Sequence, residues 1–274
     1  MAPSISSISP TSGTAGQTMT ITGTGLGNLS TTKVNIGSKT VTPTAASSTS
    51  VTFTIPSGCA GQANVSVTVS GVNSNSSAFF YVAAPTCTSV SPNTGPATPT
   101  GPIDVFGSGF STATGVVFTS SAGSATVTPT VLSDSHLTVT PPAHTAPFAT
   151  CTDSANVSVT ATGGTSSPIG AAGQFTYYQL PTVTSVTPAT GSASIPPTGV
   201  IVAGTCFVDV SAVTFTPVGG GTAVPAASVS VTGLGALTLD VPAGLTAGTT
   251  YDIQVTTTGG TSAAVAADQF AVTV

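Results

Sequence analysis

The feature that most constrains this chain is a short motif that occurs three times. Ser9-Pro10-Thr11-Ser12-Gly13 returns as Ser91-Pro92-Asn93-Thr94-Gly95 and again as Thr187-Pro188-Ala189-Thr190-Gly191. Each copy follows a serine and an aliphatic residue (Ser7-Ile8, Ser89-Val90, Ser185-Val186), and each of these pairs follows another proline (Pro3, Pro85, Pro181). Proline fixes φ and glycine admits backbone shapes closed to other residues, so the motif predicts a bend that breaks a first strand. Repetition in the same frame makes the chain three copies of one unit, expected at 1–83, 84–179 and 180–274. Each unit has ordinary domain length. Any function must then be a function of that unit repeated.

The residue vocabulary points to strands. Only 3% of the 274 residues are charged; every acid is an aspartate and both bases are lysines, Lys33 and Lys39. Glu, Arg and Leu, which helices draw on, are scarce or missing, while Val, Thr, Ile and Phe broken by Gly and Pro favour sheets. Asn64-Val65-Ser66-Val67-Thr68-Val69 alternates strictly, the pattern of a strand with one buried and one wet face. Thr18–Thr22, Lys33–Ile36, Val51–Ile55 and Ala78–Val82 read as further strands of the first unit. The second and third units repeat the order, for example at Ile103–Phe106, Val116–Phe118 and Asn156–Val159, then at Val200–Val202, Tyr251–Val255 and Phe270–Val272. Short strands with regular turn punctuation predict an all-β chain of sandwiches. The brief linkers Ala83-Ala84 and Gln179-Leu180, each followed by proline, favour an elongated rod.

A net charge of −5 with two lysines argues against nucleic acid, which needs several cations on one face. No apolar run reaches the ~18–20 residues that span a bilayer. With Met1-Ala2-Pro3 running straight into the first repeat and the last strand reaching the final residues, neither a leader nor an anchor is expected.

Sites of chemistry are thin. Asp134-Ser135-His136 lets a triad be spelled, but in so serine-rich a chain the spelling carries little, and His136 is expected to cap a turn. His144, Cys151 and Asp153 share a long loop, with a spacing that matches no usual zinc pattern. Asp209, Asp240, Asp252 and Asp268 crowd the third unit without a calcium-loop motif, and solvated aspartates are the default. There is no tryptophan, and Tyr177 and Tyr178 are the candidate surface-contact aromatics for a sugar. Asn28, Asn64, Asn75 and Asn156 fit the glycosylation pattern by composition alone. The expectation is no catalytic residue, no metal and no cofactor.

The opening motif, followed by a strand into Gly23-Thr24-Gly25-Leu26, Gly107-Ser108-Gly109-Phe110 or Gly204-Thr205-Cys206-Phe207, resembles the IPT/TIG immunoglobulin-like domain, three times over. The resemblance implies three tandem immunoglobulin-like sandwiches of the kind found in bacterial surface proteins, phage virion proteins, receptor ectodomains and accessory modules of carbohydrate-active enzymes.

Within that fold the cysteines acquire places. Cys87 aligns with Ile5 and Val183 at the start of strand one, and Cys206 replaces Gly25 and Gly109 in the loop after strand two; both positions lie at the leading end of a sandwich. Cys59 and Cys151, each five residues before the asparagine opening the next strand, lie at the trailing end. A Cys87–Cys151 bond would span a strand of about eight residues, roughly 25 Å, while a disulfide tolerates ~7 Å between Cα atoms. Two inter-domain staples are therefore predicted, Cys59–Cys87 and Cys151–Cys206, with four free thiols as the alternative. Stapled joints imply an oxidising location.

These expectations combine into a non-enzymatic extracellular structural or adhesive rod, a virion surface component such as a decoration protein, head fibre or tail appendage. The alternatives are a bacterial cell-surface or secreted adhesin-like module and a carbohydrate-binding accessory module. Expected partners are other structural proteins of a particle or cell surface, host-surface glycans, or further copies of the chain, with no nucleic acid and no membrane insertion.

Overall fold

The computed structural model describes residues 2–274. It contains three sandwiches built to one plan. In the first, one sheet runs in the order Ser4–Ser9, Thr18–Thr24, Ser50–Thr54 and Ala45–Ala46. The other runs Ser12–Gly13, Ser77–Tyr81, Gly61–Val69, Thr32–Ile36 and Lys39–Val41, with Val72–Asn73 paired to Gly61–Val69. Strand order is the same in the second and third sandwiches. The chain is thus all-β, three immunoglobulin-like sandwiches in tandem. No described helix is long and apolar enough to cross a membrane.

The repeated motif is where the chain changes sheets. Ser4–Ser9 pairs antiparallel with Thr18–Thr24, whereas Ser12–Gly13 pairs parallel with Ser77–Tyr81 in the opposite sheet. The same switch falls between Thr86–Ser91 and Thr94–Pro96, and between Thr182–Thr187 and Thr190–Ser192. All three motif prolines follow cis peptide bonds. In the second and third copies the motif glycine is required by a close approach. A Cβ on Gly95 would lie 2.8 Å from Cζ of Phe175, and one on Gly191 would lie 2.8 Å from Cζ of Phe270. The chain crosses between sheets directly over a core ring, and only hydrogen fits there.

Alternation sets the cores. Met19 and Ile21, Val34 and Ile36, Val51 and Phe53, and Val65 and Val67 all point inward from their strands. Phe79, Phe175 and Phe270 are equivalent, each fully or almost fully buried. Phe79 and Phe175 meet a tyrosine two residues on edge-to-face at 5.0 and 4.9 Å. The residue that ends each Gly-x-Gly motif, Leu26, Phe110 or Phe207, is also buried. Each sandwich has its own core. Burying a side chain of this size stabilises by about 1.5–3 kcal/mol.

Adjacent sandwiches meet backbone to backbone. A Cβ on Gly163, in a turn of the second sandwich, would overlap the carbonyl oxygen of Ala83 in the first linker. One on Gly259, at the corresponding turn of the third, would overlap that of Gln179 in the second linker. Gly71, the equivalent residue of the first sandwich, has open space around it.

Gly95→Ala should destabilise the second sandwich by about 1–3 kcal/mol, because the added methyl forces Phe175 out of its seat. Urea denaturation of the variant checks this; unchanged stability would contradict the close packing.

Candidate functional site

The trailing end of each sandwich is where the three copies differ most. In the first and second sandwiches a hairpin turn, the loop that contains Cys59 or Cys151, and the last strand surround an opening. In the first sandwich it is a cleft of about 540 Å³ between the Gly37–Lys39 turn and the Ser57–Cys59 loop. In the second, a cleft of about 170 Å³ lies between the Ser120–Ser124 turn and the Pro142–Thr145 loop. Their walls correspond residue by residue: Ile36 with Phe118, Ala63 with Ala155, and Tyr81 with Tyr177. The pairings Ala63 with Phe79, Ala155 with Phe175 and Tyr251 with Phe270 place the third copy in the same frame. There Tyr251 stands at the alanine position and Val272 at the tyrosine position, both buried. Tyr251 accepts the Thr246 N–H at 3.0 Å. Exchanging a small and a large residue across two strands puts an aromatic ring where the other copies have room.

The first cleft holds Lys39, whose Nζ donates to Ser57 Oγ at 2.7 Å, and Tyr81, whose hydroxyl donates to the Pro56 carbonyl at 2.9 Å. The second is built differently because its loop is longer. The His144 N–H donates to the Ala97 carbonyl at 2.8 Å, which anchors the loop on the neighbouring strand connection. The His144 ring stacks on Phe148 at 4.2 Å and leans on Tyr177 at 5.4 Å. Its Nε2 lies 2.8 Å from Asp153 Oδ2, and Ser121 Oγ donates to the same oxygen at 2.7 Å. Burial alone would raise the Asp153 pKa, but the hydrogen bonds from Ser121, His144 and Ser120 outweigh it and hold the carboxyl below its ordinary range. Burial first, and the Asp153 charge second, push the Tyr177 hydroxyl up to about 12.

Tyr177 is therefore not a surface platform. At 2% exposure it is a core residue, because its place in the alternating strand Gln174–Tyr178 faces inward with Phe175. Tyr178 is half-buried on the opposite face, with Asp209 of the third sandwich beside its hydroxyl. That aspartate, together with burial as the larger effect, raises the Tyr178 pKa.

Cys151 and Cys206 form a disulfide with Cα atoms 5.1 Å apart, joining the second sandwich to the third. Cys206 sits at φ +59, a left-handed position taken by Gly25 and Gly109 in the other copies. The Cys59–Cys87 staple is not formed. Cys59 is an exposed free thiol and Cys87 a buried one. Two causes act. Cys87, like Ile5 and Val183, occupies an inward position of the first strand and packs in its own core, where burial raises its thiol pKa. At Cys59 the strand has already ended: Gly61 takes φ +123, whereas strand Thr152–Ala161 runs on beside Tyr178 and the Gln179 N–H still bonds the Cys151 carbonyl at 2.9 Å. The residue of the second sandwich equivalent to Cys206 is Gly109, not Cys87.

The other candidates separate. Asp134 accepts from the Gly109 and Ser111 N–H groups and the Ser111 hydroxyl, which lower its pKa, while His136 pairs with Asp104 at 2.7 Å and stacks on Phe106. Ser135 lies 3.3 Å from Ser133. These three residues thus have separate partners. Cys151 has no thiolate to offer a metal beside His144 and Asp153, and no group of three metal-ligating side chains occurs among the described residues. In the third sandwich Asp240 is tied to Ser228 and Gly199, and Asp209 lies at the joint. Asp252 and Asp268 come together. Asp268 is fully buried with Oδ1 unpartnered; burial, reinforced by Asp252, pushes it up to about 6 against the lowering effect of the Val265 N–H. Asn28 and Asn75 are occupied in structure, Asn28 in a turn and Asn75 bonded twice to the Ile5 backbone.

Two outcomes follow from these positions. Asp268 is easier to protonate folded than unfolded, so its favourable contribution is full below about pH 4 and is lost as pH rises through about 6. Asp268→Asn should gain on the parent above that pH, by about 3 kcal/mol at most, and the difference should vanish near pH 4 in paired chemical melts. Gly109→Cys should form a disulfide with Cys59, since it restores at the first joint the position that Cys206 holds at the second; non-reducing peptide mapping reads the bond, and a free Cys59 in that variant would show that the two joints differ.

A family model for the IPT/TIG domain matches residues 3–82 and 85–177. No curated protein matches the chain. Among solved structures, one determined with a xylogluco-oligosaccharide is 18% identical with a TM-score of 0.41, covering 98% of this chain and 60% of that one. The plexin A4 full extracellular region is 16% identical with a TM-score of 0.39, covering 89% of this chain and 21% of that one. The I9–I11 tandem of titin is 11% identical with a TM-score of 0.32, covering 96% and 94%. The family match takes in most of the chain, and each matched span coincides with one sandwich. The chain belongs to the IPT/TIG domain family.

Proposed function

We propose that the protein is a non-enzymatic extracellular module, a stiffened run of immunoglobulin-like sandwiches that spaces or adheres as part of a cell-surface or secreted assembly. The observation that carries this reading is the Cys151–Cys206 disulfide between successive domains. Such bonds persist in oxidising compartments, and this one restrains a joint rather than a core. Backbone contact at Gly259 and the Tyr178–Asp209 contact act on the same joint. A nearly uncharged, hydroxyl-rich surface supports contacts that change little with salt. The side chains with acid–base or nucleophilic chemistry are dispersed among structural partners, and this favours binding over catalysis.

A virion surface component is the second reading, and it shares the same supports: tandem sandwiches, few charges and a stapled joint. The two carriers are separated by antibody labelling of intact cells and of purified particles from the native source. Label on the cell surface or in the medium, with a Cys151–Cys206 peptide on non-reducing mapping, is the expected result. A cytosolic protein with all four thiols reduced would overturn the extracellular reading in both forms.

A further inference from the structure

The first sandwich keeps wide the cleft that its siblings narrow or lose. In the second, the long loop lays His144 and Phe148 against Tyr177, and in the third Tyr251 is buried in the corresponding space. In the first, Gly58 lies over part of the ring instead: a Cβ there would stand 2.5 Å from Tyr81 Cζ. What remains is an open cleft of about 540 Å³, within the ~300–1,000 Å³ of small-molecule sites. Lys39 stands at its edge. Its cross-strand partner is Ile36, and the equivalent pairs Phe118–Ala125 and Phe215–Val224 put no charge at that position.

We propose that this cleft binds a carboxylate carried on a hydroxylated ring, the chemistry of a uronic or sialic acid. The Lys39 ammonium is a triple donor and gives one proton to Ser57 Oγ at 2.7 Å. That serine accepts the bond and keeps its own proton to donate. Lys39 and Ser57 are both exposed, and two donors so close together can take the two oxygens of one carboxylate. Ala63 and the Tyr81 ring, both partly exposed in the lining, supply an apolar wall for the C–H face of a ring.

Charge selects the class. The first sandwich contains both lysines and no acidic side chain, whereas all seven aspartates lie between residues 104 and 268. The ion pairs among the described residues are His136–Asp104 and His144–Asp153, so no side-chain carboxylate neutralises Lys39. A cationic ligand would meet that ammonium with nothing to offset it. A neutral ring would leave it unpaired, and a phosphate would bring more charge than one lysine balances. The site lies in the first sandwich alone and does not depend on where the protein resides, so the proposal stands apart from the extracellular reading above.

Cys59 reports on the site, because it lines the cleft as an exposed thiol while the other free thiol, Cys87, is buried. The experiment is alkylation of Cys59 on the full chain by iodoacetamide at constant ionic strength, read by peptide mass mapping. Glucuronate and N-acetylneuraminate are titrated beside glucose and N-acetylglucosamine, and each rate is divided by that of the same protein without sugar. The expected result is that at least one acid slows alkylation by about three-fold or more at saturation, while the neutral sugars do not. Slowing by one acid alone supports the proposal and identifies the source. Lys39→Gln, at an exposed position, should raise the concentration required by about three-fold or more, and Lys39→Arg should restore it. Lys33→Gln, whose parent Nζ bonds Thr42 outside the cleft lining, should leave it unchanged. No slowing by either acid, equal slowing by a neutral sugar, or unchanged protection in a folded Lys39→Gln variant overturns the proposal. Should that variant not fold, the comparison of acid with neutral sugar on the parent decides.

Discussion

The second and third sandwiches each depend on a phenylalanine held beneath a glycine, while in the first a Cβ on Gly13 would stand 3.8 Å from Phe79 Cζ, an ordinary contact. Phe79, Phe175 and Phe270 sit where the first strand leaves one sheet for the other, and the crossing backbone covers the ring so closely that Gly95 and Gly191 leave no room for a methyl. The switch lets the first strand bond both sheets, antiparallel in one and parallel in the other. A ring so placed ties together the strand that begins each domain and the strand that ends it. The rest of the core, alternating aliphatic side chains from both sheets, packs around that fixed point.

With the scaffold held in common, variation is pushed into the ends. The loop carrying Cys59 is short and leaves its thiol free and exposed; the one carrying Cys151 is long, brings His144 and Phe148 over the last strand, and reaches the next domain's cysteine. The third copy trades an alanine and a tyrosine for a tyrosine and a valine, and so substitutes its own ring for the cleft of its siblings. Loops tolerate such change because their backbone is solvated, while sheet positions do not. Function in a repeated fold therefore belongs to the ends and joints, where the copies disagree, rather than to the shared sheets.

The low charge of the chain bears on both readings. Two lysines and seven aspartates leave few long-range fields to steer partners. Recognition by such a surface must rely on short-range hydrogen bonds and shape. A disulfide between domains and glycine-tight linkers restrict how the second and third sandwiches can move against each other, which helps a surface built from weak local contacts present them together.

The sequence by itself determined the repeat, the strand periodicity and the bend, because those depend on local rules: proline and glycine restrict the backbone, and alternation follows the pleat. It also held the clue to Cys87, whose alignment with Ile5 and Val183 marks an inward face that cannot reach another domain. Edge strands Thr130–Ser133 and Ser228–Gly233 are exposed at every residue; Ser228-Val229-Ser230-Val231 alternates in the sequence, but neither of its faces is buried. Tyr177 could have been read inward from Phe175, two residues earlier on the same face. Only the tertiary structure decided which thiols meet, that His144 folds over Tyr177, and that Asp252 and Asp268 lie together. Those outcomes depend on loop length and on where a strand ends relative to its neighbour. Such distances between segments far apart in the chain are set by packing and leave no local mark in the residues themselves.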